Sequence, residues 1–349
     1  MTPRALLDAR LRSHRLTAPA ATVVDAARHM LAVQSQDLLA GRWALGARTK
    51  GTPTLAAVDA AFARGDLVRA WTMRGTLHII PARDLAWVLS VTAARQRQQA
   101  AGRNRDLGVD ERMLTTASHA LRPALRDGGC TRAEAFAILE GAGIDPRAQR
   151  GIHLLFALTI AGEICQGPIE PNDGGVGRDQ RFMLVEEWVQ ESDAPADPLA
   201  ELFVRYIDGH GPAGVADFAW WSGLTLTSAR DAVERVRDRV SEIEEGLFAA
   251  PTVPRRSPKT ADAFALPAFD EYYISYADRT TVCPPEHLAA VGPGKNGMVR
   301  PILVDRGRIV GTWAHADATR HSAPEMFGDG LDPDAVASAL ARFAEFIAG

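Results

Sequence analysis

Gln34-Ser35-Gln36, within "HMLAVQSQDLLAGRW", sets two primary amides two residues apart with a hydroxyl between them. An amide offers a carbonyl acceptor and an NH₂ donor but no titratable proton, so such a pair can orient a polar molecule and cannot act as general acid or base. Read locally, the same residues need only satisfy the last carbonyls of the apolar helical run before them. In "LPAFDEYYISYADR", Asp270, Glu271, Asp278 and Arg279 are interleaved with Phe269, Tyr272, Tyr273 and Tyr276. Carboxylates beside aromatic faces suit acid–base work or the support of stacked bases. The alternative is a packed strand whose charges pair at the surface. "DLVRAWTMRGTLHII" carries Arg69, Arg74 and His78 on two β-like runs, where they could reach a phosphate or simply belong to an amphipathic hairpin.

Other motifs fail on context. "VGPGKNGM" spells Gly292-x-Gly294-x-x-Gly297, but Pro284, Pro285 and Pro293 stand where a dinucleotide fingerprint needs a strand, and β-like sequence follows where it needs a helix. No GxSxG marks an activated serine. Cys130, Cys165 and Cys283 are odd in number and far apart without a CxxC, which argues against a disulfide framework or a zinc site. His29, His153 and His210 each stand alone in apolar surroundings. No metal and no organic cofactor is expected.

Three helices and a hairpin are expected to position the first group of residues. "PRALLDARLRS" and "APAATVVDAARHMLAVQ", with Val23, Val24, Ala27, Met30 and Leu31 on one stripe, read as helices, and "TLAAVDAAFARG" closes with Gly65 at its C-cap. The period then falls to two around "MRGT". That order describes a winged helix, whose β wing can reach a groove or the backbone of DNA. The plan recurs with helices near 110–124, 131–141 and 146–161, then strands "EICQG" and "RFMLVEEWV" around the Gly-rich "PNDGGVGRDQ". A third pass has helices near 198–209, 214–222 and 227–236, then "RVSEIEEG" and "AFALPAFDEYYIS". "ESDAPADP" and "APTVPRRSPKT" are Pro-rich linkers. "GMVRPILVDRGRIVGTWAHAD" alternates around Asp305-Arg306-Gly307, a hairpin in a β-rich module, and the last helix opens on Asp332 and Pro333.

At 349 residues the chain exceeds one ordinary domain. It has neither a run of roughly 18 apolar residues nor the apolar core of a secretory signal, so the expectation is a cytoplasmic protein with no membrane partner. The net charge of −4 hides an asymmetry. Residues 1–110 contain 16 Lys and Arg against 8 Asp and no Glu, while the rest contain 23 against 35. One phosphate-facing surface would produce such a split, and so would a solvated basic helix face.

Four stretches together resemble one family. "HMLAVQSQDLLAGRWALGART", "RAWTMRGTLHIIPARDLAW", "HGPAGVADFAWWSGLTLTSAR" and the pair "LPAFDEYYISYADR" with "GMVRPILVDRGRIVGTW" are similar, in order, to the winged-helix DNA glycosylases typified by AlkZ and YcaQ. The resemblance implies an α+β, mainly helical fold of three tandem winged-helix motifs (1–108, 109–194 and 195–262) followed by a C-terminal β-barrel-like module with the last helix (263–349). It implies that Gln34 and Gln36 form the Gln-x-Gln catalytic motif of the AlkZ-like branch, with Ser35 where the family carries a hydrophobic residue. Asp270 is a secondary catalytic candidate, as a carboxylate that could stabilise an oxocarbenium ion. Arg42, Arg69, Arg74, His78 and Arg279 are the expected DNA contacts.

The implied activity is hydrolysis of the N-glycosidic bond of cationic alkylated bases, N7-alkylguanine first, in double-stranded DNA, by a monomer. The amides suit this chemistry because a cationic base leaves without acid assistance, and the enzyme need only place a water against C1′. A non-catalytic winged-helix regulator is the alternative; it would normally be a dimer with a readable recognition helix in each half. A protein that sequesters a DNA-damaging compound is a third reading.

Overall fold

Thr2, Thr22 and Asp37 open the first three helices by accepting, on their side chains, the backbone N–H three residues on, which satisfies donors the helix leaves unpaired. The computed structural model describes the chain except residues 173–175, 237, 253–262, 318–319 and 329–331, and except the side chains of 315–317 and 320–323. The centre of "PNDGGVGRDQ" and most of the linker "APTVPRRSPKT" lie outside the described residues.

In chain order the first elements are α1 (Pro3–Ser13), α2 (Val23–Met30), β1 (Val33–Gln34), α3 (Leu38–Ala47), α4 (Leu55–Ala63), β2 (Leu67–Met73), β3 (Thr76–Pro81) and α5 (Leu85–Asp106). Then come α6 (Glu111–Arg126), α7 (Arg132–Gly141), α8 (Arg150–Ile160), β4 (Ile164–Ile169), β5 (Gln180–Leu184) and α9 (Val185–Trp188). The third stretch holds α10 (Pro198–His210), β6 (Ala213–Gly214), α11 (Val215–Ser222), α12 (Leu226–Glu234), β7 (Ser241–Glu244) and β8 (Leu247–Ala249). It ends with β9 (Ala263–Leu266), α13 (Glu271–Ile274), α14 (Leu288–Val291), β10 (Ile302–Asp305), β11 (Arg308–Asp317), β12 (Arg320–Met326) and α15 (Pro333–Ala348). Close to half of the chain is helical.

Packing divides the chain into two units, one built from Met1–Val58 with Leu199–Gly349 and the other from Asp59–Pro198. In the continuous unit the strands run antiparallel in the order β3-β2-β4-β5. The hairpin β2–β3 turns on Arg74 (φ 53°) and Gly75 (φ 69°), the paired positive φ values that let two strands reverse with their natural twist. Leu121, Leu125, Ala135, Leu139, Leu154 and Leu158 of α6, α7 and α8 close the core against Phe182 and Leu184. Thr131 and Glu134 form a capping box at the start of α7, beside Cys130, whose backbone pairs with Phe182.

The discontinuous unit carries a three-stranded sheet in the order β6-β8-β7 and a four-stranded antiparallel sheet β12-β11-β10-β9. The second sheet is open, where a β-barrel-like module was expected. β9 and β12 remain its edges, and the C-terminal helix α15 covers β9 instead of a closing strand. Phe343 packs edge to face on Trp43 and Trp313, Phe346 lies tilted against Trp43, and the Trp43 and Trp313 indole N–H groups donate to the Ala265 and Leu266 carbonyls.

Three other expectations change. α2 stops at Met30 and a separate helix, α3, follows, so four helices precede the first hairpin. "AFALPAFDEYYIS" is a strand only through Leu266: Pro267 removes a donor, Phe269 takes φ 58° and Asp270 caps the short helix α13. The hairpin partner of β7 is therefore β8, and β9 belongs to the other sheet. Finally, "EEW" of the second predicted hairpin forms the turn α9. Gly292, Gly294 and Gly297 lie in a loop between α14 and β10, as the sequence context requires.

Candidate active site

Gln34-Ser35-Gln36 does not cap a helix, as its place after an apolar run suggested. Leu31 breaks α2 with φ 61° and ψ −55°, and Ala32 N–H donates to the Met30 carbonyl at 2.8 Å. This three-residue turn is the rare, strained form of the γ-turn, and a non-glycine residue holds it only where packing over-determines it. Leu31, Ala32 and Val33 are all fully buried. The chain then runs extended through Val33–Gln34, and Asp37 opens α3. Gln34 is 8% exposed, Ser35 is wholly buried and Gln36 is exposed. The middle position is thus an interior one, which accounts for a hydrophobic residue in the resembling family; here the Ser35 hydroxyl donates to the Asp37 carbonyl at 3.4 Å.

Glu271 holds this segment from beneath. Its Oε1 accepts the Gln34 backbone N–H at 2.7 Å, and its Oε2 accepts the Ser275 hydroxyl at 2.5 Å and the Trp221 indole N–H at 3.2 Å. His210 Nε2 lies 3.7 Å from the same oxygen. Glu271, Ser275, Trp221 and His210 are all fully buried. Tyr206 stacks on His210 at 4.9 Å, and Trp221 lies 5.1 Å from it. A carboxylate with donors on both oxygens, walled by aromatic rings, leaves the Gln34 backbone little freedom.

Asp270 has a different task from the one expected of it. Its two oxygens take the Arg48 guanidinium at 2.7 and 2.9 Å, and Oδ1 also accepts the Tyr272 N–H to cap α13. Both side chains of the ion pair are completely buried. Both oxygens of Asp270 are thus committed to Arg48 and α13, and its neighbour Glu271 is the carboxylate that reaches the Gln34 backbone.

Two histidines near this network are held neutral. The Tyr276 hydroxyl donates to the His210 carbonyl at 2.7 Å, so His14 Nε2, 2.8 Å from the phenol oxygen, must be the donor there. Burial first, then the charges of His210 and Arg48, push the His14 pKa well below its ordinary value. His29 donates from Nε2 to the Ser13 carbonyl and accepts Arg15 on Nδ1, and burial followed by the Arg15 charge brings its pKa from 6.5 to about 3. Below pH 6.5 the unfolded chain takes up protons that the folded chain refuses. The stability these neutral histidines contribute is therefore complete above that pH and declines as the pH falls, by at most ~1.4 kcal/mol per pH unit for each histidine. Urea unfolding at pH 7.5 and 5.0 should show the decline, and His29→Gln should flatten it; an unchanged slope in the variant would remove His29 from the account.

The expected DNA contacts divide by exposure. Arg42 is fully buried in α3, with Nε 3.4 Å from the Leu38 carbonyl. Arg69 donates to the Gln166 side chain at 2.7 Å, and His78 is enclosed beside Thr72 at 3.0 Å. These three expected DNA contacts are thus buried against partners inside their units. Arg69 and His78 are buried because both faces of the β2–β3 hairpin are covered, and Arg42 because α3 is enclosed almost all round. Arg74 stands half-buried at the hairpin turn, and Arg279 is half-buried with its guanidinium over the Trp220 and Tyr273 rings at 5.0 and 5.2 Å. Cys130, Cys165 and Cys283 are buried thiols, raised by burial to about 11, 12 and 11. Among the described residues no group of His, Cys, Asp and Glu could hold a metal, and no helix is long and apolar enough to cross a membrane.

The fold is that of a DNA glycosylase. The solved structure of Streptomyces sahachiroi DNA glycosylase AlkZ superposes with a TM-score of 0.79 over 99% of this chain and 96% of that one, at 22% identity. The interstrand DNA cross-link repair glycosylase of the same organism is 25% identical over 289 residues, 77% of this chain and 76% of the relative. Residues 27–346 match the family described as DNA glycosylase AlkZ-like, and the chain belongs to that family.

Proposed function

We propose that the protein is a monofunctional DNA glycosylase that hydrolyses the N-glycosidic bond of cationic alkylated bases, N7-alkylguanine in particular, including bulky adducts and interstrand crosslinks. The observation that carries this reading is the locked segment: Gln34 is fixed through its own backbone by a buried carboxylate, and Gln36 emerges two residues on. In the proposed reaction the Gln34 and Gln36 carbonyls accept hydrogen bonds from one water and hold it against C1′. The C1′–N9 bond breaks with its electron pair passing to the purine, which leaves as neutral N7-alkylguanine. Water oxygen bonds to C1′, a water proton passes to solvent, and an abasic site remains. An uncharged base would need a proton donor that the amides lack, so the substrate range is set by the lesion's own charge.

A lyase step would need an amine to form a Schiff base at C1′. Lys50 and Lys295 are exposed and lie outside the Glu271 network, and Lys259 lies outside the described residues. The recurring plan of helices and hairpin supports three winged-helix units over 1–108, 109–194 and 195–262, and a β-rich module over 263–349, acting as a cytoplasmic monomer on double-stranded DNA with Arg74 and Arg279 among its contacts.

Duplexes carrying N7-methylguanine or a nitrogen-mustard crosslink, incubated with the protein and then heated in base, should break at abasic sites. Intact strands from both substrates would sink the general alkylation-repair reading. Gln34→Ala and Gln36→Ala should each slow base release by ~10²-fold with DNA affinity nearly unchanged, the scale for removing a positioning contact. Loss of binding with normal turnover of the bound complex would show that the glutamines hold DNA and do not place water.

A further inference from the structure

The continuous unit has a cavity of about 320 Å³ between the β2–β3 turn, α5 and α8. Phe156 and His153 of α8 line it and are partly exposed, with ring centroids 6.4 Å apart. Trp71 of β2 backs Phe156 edge to face at 5.9 Å. The rim is cationic, with Arg74 on the hairpin turn and the exposed Arg103 on α5. The same helix carries Arg95, Arg97 and Arg105, and residues 95–105 contain no carboxylate.

The turn is fixed in place. Gln96 donates from its amide to the Thr72 carbonyl at 2.9 Å and accepts the Gly75 N–H at 3.3 Å. His153 is held in turn by Asn104 at 2.8 Å.

The volume sits at the lower end of the ~300–1,000 Å³ of small-molecule pockets, far below what a duplex needs. Two aromatic rings tilted at 54° have no use for a small anion, and two guanidinium groups have none for an apolar ligand. A base joined to its phosphate satisfies both, by stacking on the rings and pairing with the arginines. We propose that this pocket receives one unstacked nucleotide of a DNA strand, its base against Phe156 and His153 and its phosphate at Arg74 and Arg103. The assignment rests on the reading of the chain as a DNA-acting enzyme and adds to it a second site, on the continuous unit.

Fluorescence anisotropy with an undamaged duplex containing one bulged guanosine, against the same duplex fully paired, tests the pocket without any glycosylase chemistry. The wild-type protein should prefer the bulged duplex by at least ~5-fold, the lower bound for stacking one base on an aromatic side chain. Phe156→Ala, and Ala100→Trp to fill the cavity from α5, should abolish the preference and leave affinity for the paired duplex within about 2-fold. Free dGMP should not compete at the concentration of bulged DNA that saturates. Equal wild-type affinity for the two duplexes, a preference that survives in both variants, or dGMP competing as well as the bulge would each overturn the proposal. Release of N7-methylguanine measured in parallel separates the two readings. Release without bulge preference removes the pocket alone, and bulge preference without release removes the N7-alkylguanine reading alone.

Discussion

Asp270→Ala should lower the unfolding free energy by ~3–5 kcal/mol, because it strands the Arg48 guanidinium in a fully buried position. The carboxylate gives Arg48 two hydrogen bonds of 2.7 and 2.9 Å and also caps α13. The pair itself is worth much less than its loss, since burying two charges offsets most of their attraction. Replacing both partners by apolar residues, Arg48→Met with Asp270→Leu, should therefore recover most of the deficit in urea unfolding. A double variant as unstable as Asp270→Ala would mean that packing around α13, and not the orphaned charge, sets the cost. Base release by whatever fraction of Asp270→Ala remains folded should be near normal, because Asp270 faces Arg48 and not the glutamine segment.

Glu271→Gln should do the reverse, reducing single-turnover base release by ~10–100-fold with DNA affinity close to wild type. Glutamine keeps the volume but turns one acceptor into an NH₂ group facing donors from Gln34, Ser275 and Trp221. At least one of those donors then loses its partner, at ~1–3 kcal/mol, and the Gln34 backbone loses its register. A displacement of about 1 Å at a positioning group is enough for ~10²-fold. The role proposed for Glu271 is to position Gln34, so the comparison that matters is rate per folded, DNA-bound molecule at a temperature well below the melting transition. Full turnover under those conditions, with only the melting temperature lowered, would reduce Glu271 to a packing role.

Much of the local structure was legible because it rests on local chemistry. Arg74-Gly75 and Arg306-Gly307 mark their hairpins since both residues of each turn take positive φ. Asp332 and Pro333 mark the last helix for equally local reasons. What the sequence hid depends on partners far away along the chain. The break at Leu31 is enforced by burial and not by a glycine or proline, so the apolar stripe runs through it unmarked. α3 and α5 escaped notice for a related cause: α3 is buried almost all round and α5 is largely polar in its second half, so neither shows a clean amphipathic stripe. Asp270 and Glu271 are adjacent acids in one motif, and only their partners, Arg48 for one and Gln34 for the other, tell them apart. Family resemblance singled out Gln34 and Gln36, and geometry supplied the carboxylate behind them.

The discontinuous unit has a consequence for how the molecule is made. Gln34 emerges early in synthesis, but the carboxylate that fixes it is 237 residues further on, after the whole of the continuous unit has been translated. Domains fold roughly in the order they leave the ribosome, so residues 59–198 can complete their core while the glutamine segment is still waiting. A nascent or prematurely terminated chain that ends before Glu271 has the amides without their anchor. On the proposed mechanism such a chain has no fixed place for the water, and base excision should wait until Glu271 has been made and folded against Gln34.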